Sequence, residues 1–226
     1  RDGGHHGALG RVFDVSGQGA RDGALSRFPQ NVGRMLVRLY SAPGDLVVDP
    51  FAGHNSRLEL CWRENRRYIG CDLSPRFTAA TRDAYLSLLD LDSLFDRTAQ
   101  PHAAVVRCDS RHLPIRDACA DFLITSPPYW NIEDYGTEQE QLGASGYAAF
   151  LEGLGLVVGE AFRVLRAGAF SVWCINDFRS GGRFYSFHSD LIALLVEAGF
   201  LQHDIAITDL GPSTRIAFAQ QLVRDR

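Results

Sequence analysis

A chain of 226 residues with 46% hydrophobic content can bury one full-sized core but has no room for a second large domain. A net charge of -4 and an isoelectric point near 6.0 exclude a wholly basic surface, so a polyanion would have to be met by a local patch. All 23 basic residues are arginine, which suits bidentate contacts to phosphate and guanine. The cysteines at 61, 71, 108, 119 and 174 are odd in number and show no Cys-x-x-Cys pairing. They read as buried free thiols of a cytosolic protein, not as a metal site. No apolar run is long enough to span a membrane, and the first residues do not form a signal peptide. The chain starts at Arg1 without methionine, which suggests a piece of something longer.

Residues 1–26 are rich in glycine and polar side chains, with one apolar break at Val12-Phe13-Asp14-Val15, and are expected to be mostly loop. His5 and His6 there read as exposed and inert. Residues 27–226 form the predicted catalytic domain. From Pro29, residues Val32, Met35, Leu36, Leu39 and Tyr40 fall at helical spacing, ended by Pro43-Gly44. A strand at Asp45–Val48 runs into the loop Asp49-Pro50-Phe51-Ala52-Gly53-His54-Asn55-Ser56. A helix follows, with Leu58, Cys61 and Trp62 on one side and Arg57, Glu59, Arg63 and Glu64 mostly on the other. Strand, tight loop and helix is an arrangement that binds a cofactor at a helix N-terminus. The pyrophosphate and Walker fingerprints are both absent, and an acid at the strand end suits a cationic or amine-bearing ligand.

A second strand, Tyr68–Asp72, precedes a helix capped by Ser74 and opened by Pro75. Asp72 comes 23 positions after Asp49 (72 − 49), close to the interval at which doubly wound folds place a carboxylate for ribose hydroxyls. A third strand, Ala103–Cys108, ends in Asp109-Ser110, so three strands in succession terminate in an acid. The apolar run Asp121-Phe122-Leu123-Ile124 reads as a buried parallel strand ended by Thr125-Ser126-Pro127-Pro128-Tyr129-Trp130. Two prolines fix two φ angles and remove two N–H donors. That leaves the Ser126 hydroxyl and the Pro127 carbonyl as rigid acceptors beside an aromatic ring, a grip for a planar amino group.

Asp49-Pro50-Phe51-Ala52-Gly53 followed by Ser126-Pro127-Pro128-Tyr129 resembles the S-adenosylmethionine-dependent DNA amino-methyltransferases, from about Phe28 to about Phe200. The resemblance implies an α/β, doubly wound Rossmann-like fold with a mostly parallel seven-stranded sheet and a C-terminal antiparallel hairpin. It implies S-adenosylmethionine as cofactor and S-adenosylhomocysteine as product. The cofactor would be held by Phe28-Pro29, by Asp49 to Gly53 with Asn55, by Asp72 with Leu73, and by Asp109 with Ser110. The family commonly continues its loop as Gly-Ser-Gly-Thr. Here the chain reads Gly53-His54-Asn55-Ser56, and asparagine tolerates the left-handed backbone best among non-glycine residues.

An exocyclic amino nitrogen is a poor nucleophile because its lone pair is delocalised into the ring. If Ser126 and the Pro127 carbonyl each accept one amino hydrogen, the lone pair becomes localised and can be aimed at a sulfonium methyl. Tyr129, held by Pro128, would stack on a flipped base, while Trp130 lines the pocket or packs beneath it. In the family that the chain resembles, serine at the first position is more common among the cytosine-N4 members and aspartate or asparagine among the adenine-N6 members, so the resemblance implies N4 of cytosine ahead of N6 of adenine.

Residues 131–145 read as a mobile loop over the site. Tyr147, Phe150, Leu151, Leu154, Val158, Ala161 and Leu165 mark a helix stopped at Ala167-Gly168, followed by a strand at Ala169–Ile175. Residues 176–185 read as a loop in which Arg179, Arg183 and Tyr185 suit phosphate and base contacts. His188–Phe200 is a further helix, and Leu201–Ile207 with Arg215–Val223 read as an antiparallel pair. The sequence shows no insertion large enough for a separate target-recognition domain. Recognition is therefore left to these loops, to a specificity partner or to a missing segment. The expected partner is DNA, with no metal and no membrane, in the cytoplasm of a bacterial, archaeal or phage-type restriction-modification setting. Two alternatives stay open: an RNA guanine-N2, RNA adenine-N6 or protein-glutamine methyltransferase, and a catalytically silent DNA-binding or partner subunit.

Overall fold

The computed structural model describes residues 11–14, 30–53, 56–93, 102–130, 142 and 146–209. The elements in chain order are β1 (Arg11–Asp14), α1 (Gln30–Tyr40), β2 (Leu46–Asp49), α2 (Ser56–Arg63), β3 (Arg67–Asp72), α3 (Pro75–Ser93) and β4 (Ala103–Arg107). These are followed by β5 (Ala120–Thr125), α4 (Tyr147–Val164), β6 (Leu165–Trp173), β7 (Phe178–Ser180), β8 (Arg183–Tyr185), α5 (Phe187–Glu197) and β9 (Ala206–Asp209).

The central sheet runs β4-β3-β2-β5-β6 with every pairing parallel. Its middle strands are buried on both faces, which is why they read as unbroken apolar runs and not as alternation. On one face Val47, Tyr68, Phe122 and Ile124 pack against Val32, Leu36 and Val37 of α1 and Leu58 and Cys61 of α2. On the other, Val48 and Leu123 meet Ala161 of α4. Each fully buried side chain of this kind contributes about 1.5–3 kcal/mol. Helices cover both faces, as the doubly wound reading expects. The chain moves outward from β2 through β3 to β4 and then returns to place β5 on the other side of β2. The gap between β2 and β5 is thus the switch point outside whose carboxyl ends such sheets bind ligands.

Several details differ from the sequence reading. Among the described residues the central sheet has five strands, and the expected terminal partner Arg215–Val223 lies outside them. The strand at Ala206–Asp209 pairs in parallel with Arg11–Asp14, inside the segment read as loop. Helix α4 ends at Val164, before Ala167-Gly168. Leu165 already pairs with Ala120, and the register then shifts before Phe170 pairs with Phe122. Gly168, at φ +81°, lies in that irregular stretch, so it serves a strand and not a helix stop. Residues 178–185, read as loop, form an antiparallel hairpin. Gly181 and Gly182 lie at φ +56° and +78°, the paired positive angles of a two-residue turn that follows strand twist. The loop read at 131–145 falls outside the described residues apart from Leu142.

Candidate active site

Asp49, at the tip of β2, is fully buried and surrounded by donors. Its Oδ1 accepts from the Phe51 N–H at 3.2 Å and Thr125 Oγ1 at 2.7 Å. Its Oδ2 accepts from Tyr68 Oη at 2.9 Å and from Arg57 Nε. The Arg57 guanidinium continues to the carbonyls of Phe51 and Ala52. Burial alone would loosen the proton on Arg57, but Asp49 beside it more than reverses this and the pKa rises. Two sequence expectations change here. Arg57 is not on a solvated helix face, since its side chain is 7% exposed. The Asp49 carboxylate, taken up by four donors, shapes the loop instead of facing a ligand.

Tyr68 reaches Asp49 because Gly70 lies two residues along on the same strand face. A Cβ at Gly70 would come within 2.6 Å of the Tyr68 ring. Asp72 closes the loop from the next strand, accepting from the Gly53 N–H at 2.8 Å and the Ser74 N–H at 2.9 Å. Gly53 sits at φ +50°, a left-handed angle that a side chain adopts only with strain. Burial raises the Asp72 pKa against the pull of those two amides. Ser110 Oγ donates to the Pro50 carbonyl, lacing the tip of β4 to the same loop. Both carboxylate oxygens of Asp109 accept from Arg111, which holds its pKa below the ordinary range although burial acts the other way. The Leu73 carbonyl accepts from Arg107 Nε at 3.2 Å.

The Pro-Pro turn leaves β5 at Thr125. Ser126 is partly exposed, Pro127 is buried, and the turn ends on Trp130 at φ +46°, an angle that non-glycine residues rarely adopt. Tyr129 packs edge-on against Phe187 at 6.5 Å between centroids, and its hydroxyl lies 3.4 Å from Asn176 Nδ2. Phe51 of the glycine loop joins Tyr129, Trp130 and Trp173 in one apolar cluster, so loop and turn share a wall. Trp130 sits 5.3 Å from Tyr185 and 6.4 Å from Phe178, against the root of the hairpin that presents Arg179 and Arg183. Of the residues proposed from sequence, Phe28, Pro29 and Asn55, with the neighbouring His54, lie outside the described residues.

The comparisons with known proteins bear on the amino-terminal part of this site. Residues 11–83, which carry β2, the glycine loop and Asp72, match the family model described as DNA methylase. Over those residues the chain is similar to the DNA methylases. The type II methyltransferase M.XycI of Xanthomonas campestris pv. cyanopsidis is 31% identical to it over 72 residues, covering 32% of this chain and 24% of that protein. The type II methyltransferase M.PvuII of Proteus hauseri is 34% identical over 61 residues, covering 27% of this chain and 18% of that protein. The chain thus matches about a quarter or less of the length of these relatives. Among solved structures, the [4+2]-cyclase SpnF superposes with a TM-score of 0.56 at 16% identity, over 87% of this chain and 66% of that one, a likeness of fold.

The glycine loop fits S-adenosylmethionine as cofactor. Asp72 accepts one backbone amide on each carboxylate oxygen, Asp109 is paired with Arg111, and Arg57 is engaged by Asp49 and two carbonyls. Such a rim suits a sulfonium ligand without phosphates. Among the described residues no group of three or more histidine, cysteine or acidic side chains is placed to hold a metal ion. None of the described helices is long and apolar enough to cross a membrane.

Sequence reasoning missed Arg57, Tyr68, Thr125 and Arg111. A signal existed for Thr125, a hydroxyl closing an otherwise apolar strand. Tyr68 and Gly70, two apart on one strand, could have been read as a ring lying over a missing side chain.

Proposed function

We propose that the chain carries the methyl-transfer site of a DNA amino-methyltransferase, acting on an exocyclic nitrogen of a base and on N4 of cytosine ahead of N6 of adenine. The observation that carries the reading is the hydrogen bond from Thr125 to Asp49 across adjacent strands. It joins the base of the glycine loop to the residue immediately before Ser126, at the sheet's switch point.

When bound, S-adenosylmethionine supplies an electrophilic methyl group on a sulfonium. The carboxylate of Asp72 takes ribose hydroxyls, and Asp109 takes the adenine end. Ser126 Oγ and the Pro127 carbonyl each accept one hydrogen of the target amino group, so that its lone pair is localised and aimed. Pro127 and Pro128 hold those two acceptors at a fixed spacing without N–H donors to compete. Tyr129 stacks on the extruded base, and Asn176 fixes its hydroxyl. Trp130 lines this pocket by packing against Tyr185, and Arg179 and Arg183 meet the DNA backbone. The reading of cytosine ahead of adenine is supported by serine at 126, the residue more common among the cytosine-N4 enzymes that the chain resembles. The proposed setting is the cytoplasm of a restriction-modification host, with sequence recognition supplied by the hairpin or by a partner.

The test is transfer of labelled methyl to duplex DNA, single-stranded DNA, RNA and protein, followed by mass analysis of the nucleosides. N4-methylcytosine in DNA is expected. Label in RNA or protein alone would end the DNA reading, and N6-methyladenine would overturn only the choice of base.

A further inference from the structure

The outer face of the β7–β8 hairpin is not explained by the core or by the methyl-transfer chemistry. Phe178 and Tyr185 pair across the hairpin and stack at 5.2 Å, turned towards Trp130 and Tyr147. The next pair outward, Arg179 opposite Phe184, therefore points to the other side. Phe184 is 50% exposed, an unusual place for a phenylalanine two residues from a turn of two glycines. Arg179 lies over its ring at 5.3 Å and Arg183 over Tyr185 at 5.1 Å. Residues 178–185 contain no carboxylate, and the adjoining Asp177 is engaged by His188 at 2.8 Å.

A narrow two-stranded fin, with an arginine on each face and an exposed aromatic ring one pair back from its glycine tip, is complementary to stacked bases between two phosphate backbones. Its root packs directly on the residue after Tyr129, so the ring is carried on the same rigid aromatic cluster as the base-stacking turn. We infer that the hairpin inserts Phe184 into the base stack of duplex DNA, with Arg179 and Arg183 on the flanking phosphates. Phe184 is then a positioning residue that offsets the stacking lost when the target base leaves the helix. This role rests on the reading of DNA as substrate.

The experiment relaxes a closed circular plasmid with a topoisomerase in the presence of saturating protein and S-adenosylhomocysteine. Linking number is then read after protein removal, with occupancy checked by retention of the plasmid. The wild-type chain is expected to lower the linking number. Phe184→Ala should abolish that shift at equal occupancy, and Phe184→Trp should restore it. Methylation of duplex plasmid by Phe184→Ala should slow roughly 5- to 100-fold, the size of one lost base stack. A bound wild-type chain that leaves the linking number unchanged, or an alanine variant that unwinds as well as wild type, overturns the wedge alone. A chain that neither binds nor methylates DNA removes the substrate reading and the wedge with it.

Discussion

Replacing Arg57 with methionine keeps most of the side-chain volume and deletes the cation beside Asp49. The carboxylate would retain Phe51, Tyr68 and Thr125 as donors but lose its counter-charge at a site with no solvent contact. Breaking a buried pair by removing one partner costs about 3–5 kcal/mol, because the remaining charge cannot be hydrated. In a domain of this size each kcal/mol shifts the melting temperature by about 2–4 °C, so a loss of roughly 6–20 °C is expected. The carbonyls of Phe51 and Ala52 also lose their donor, so the glycine loop slackens and cofactor affinity falls. The assay is urea unfolding of wild type, Arg57→Met, Asp49→Asn and the double variant, with calorimetric titration of S-adenosylmethionine. The double variant should be more stable than the sum of the single losses implies, since no lone charge stays buried. Additive losses, or a change below about 1 kcal/mol for Arg57→Met, would refute the view that this pair braces the loop.

Four further outcomes are expected. Ser126→Ala should keep cofactor affinity and lose most methyl transfer in a labelled-methyl assay, because the proposed role of this partly exposed hydroxyl is to accept from the target amino group. Arg183→Ala should weaken DNA binding and lower the slope of log affinity against log salt by roughly 1, measured by fluorescence anisotropy. Cys108 is partly exposed, and a hydrogen bond from the free Cys71 thiol holds its pKa below the usual thiol value. It should be alkylated ahead of buried Cys61 and Cys71, and S-adenosylmethionine should protect it, as mass mapping would show. Glu160 is held below the ordinary carboxylate pKa by Arg163, with help from the Leu113 N–H. A depressed pKa in the fold stabilises above the unfolded value and is lost as pH falls through the folded one. Glu160→Gln should therefore cost about 1 kcal/mol at pH 7, after allowance for solvent screening, and nothing at low pH in parallel unfolding curves.

The sequence made the parallel strands legible because burial on both faces leaves Val47-Val48 and Phe122-Leu123-Ile124 without polar interruption. It also made their ends legible, because Asp49, Asp72 and Pro127-Pro128 each break the pattern chemically. What it hid was long-range or two-sided. Arg57 falls at a helix position that periodicity assigns to solvent, and only the depth of Asp49 beneath the loop draws it inward. The pairing of Arg11–Asp14 with Ala206–Asp209 joins segments far apart in the chain, and neither carries a strong strand signature. The hairpin at 178–185 was masked by its arginines and glycines, which suit a loop until Phe178 and Tyr185 are seen to face each other. Leu165 was hidden differently, since one residue ends a helix and begins a strand with no connecting turn to mark the boundary.

Thr125 divides the chain into parts with unequal freedom to vary. Its hydroxyl is tied to buried Asp49 beneath the glycine loop, whereas Ser126, one position on, is partly exposed. A new target base could be sampled by exchanging Ser126 while the hydrogen bonds around Asp49 stay as built. A change at 125 would disturb the Asp49 carboxylate and the loop it braces before any altered preference could be expressed.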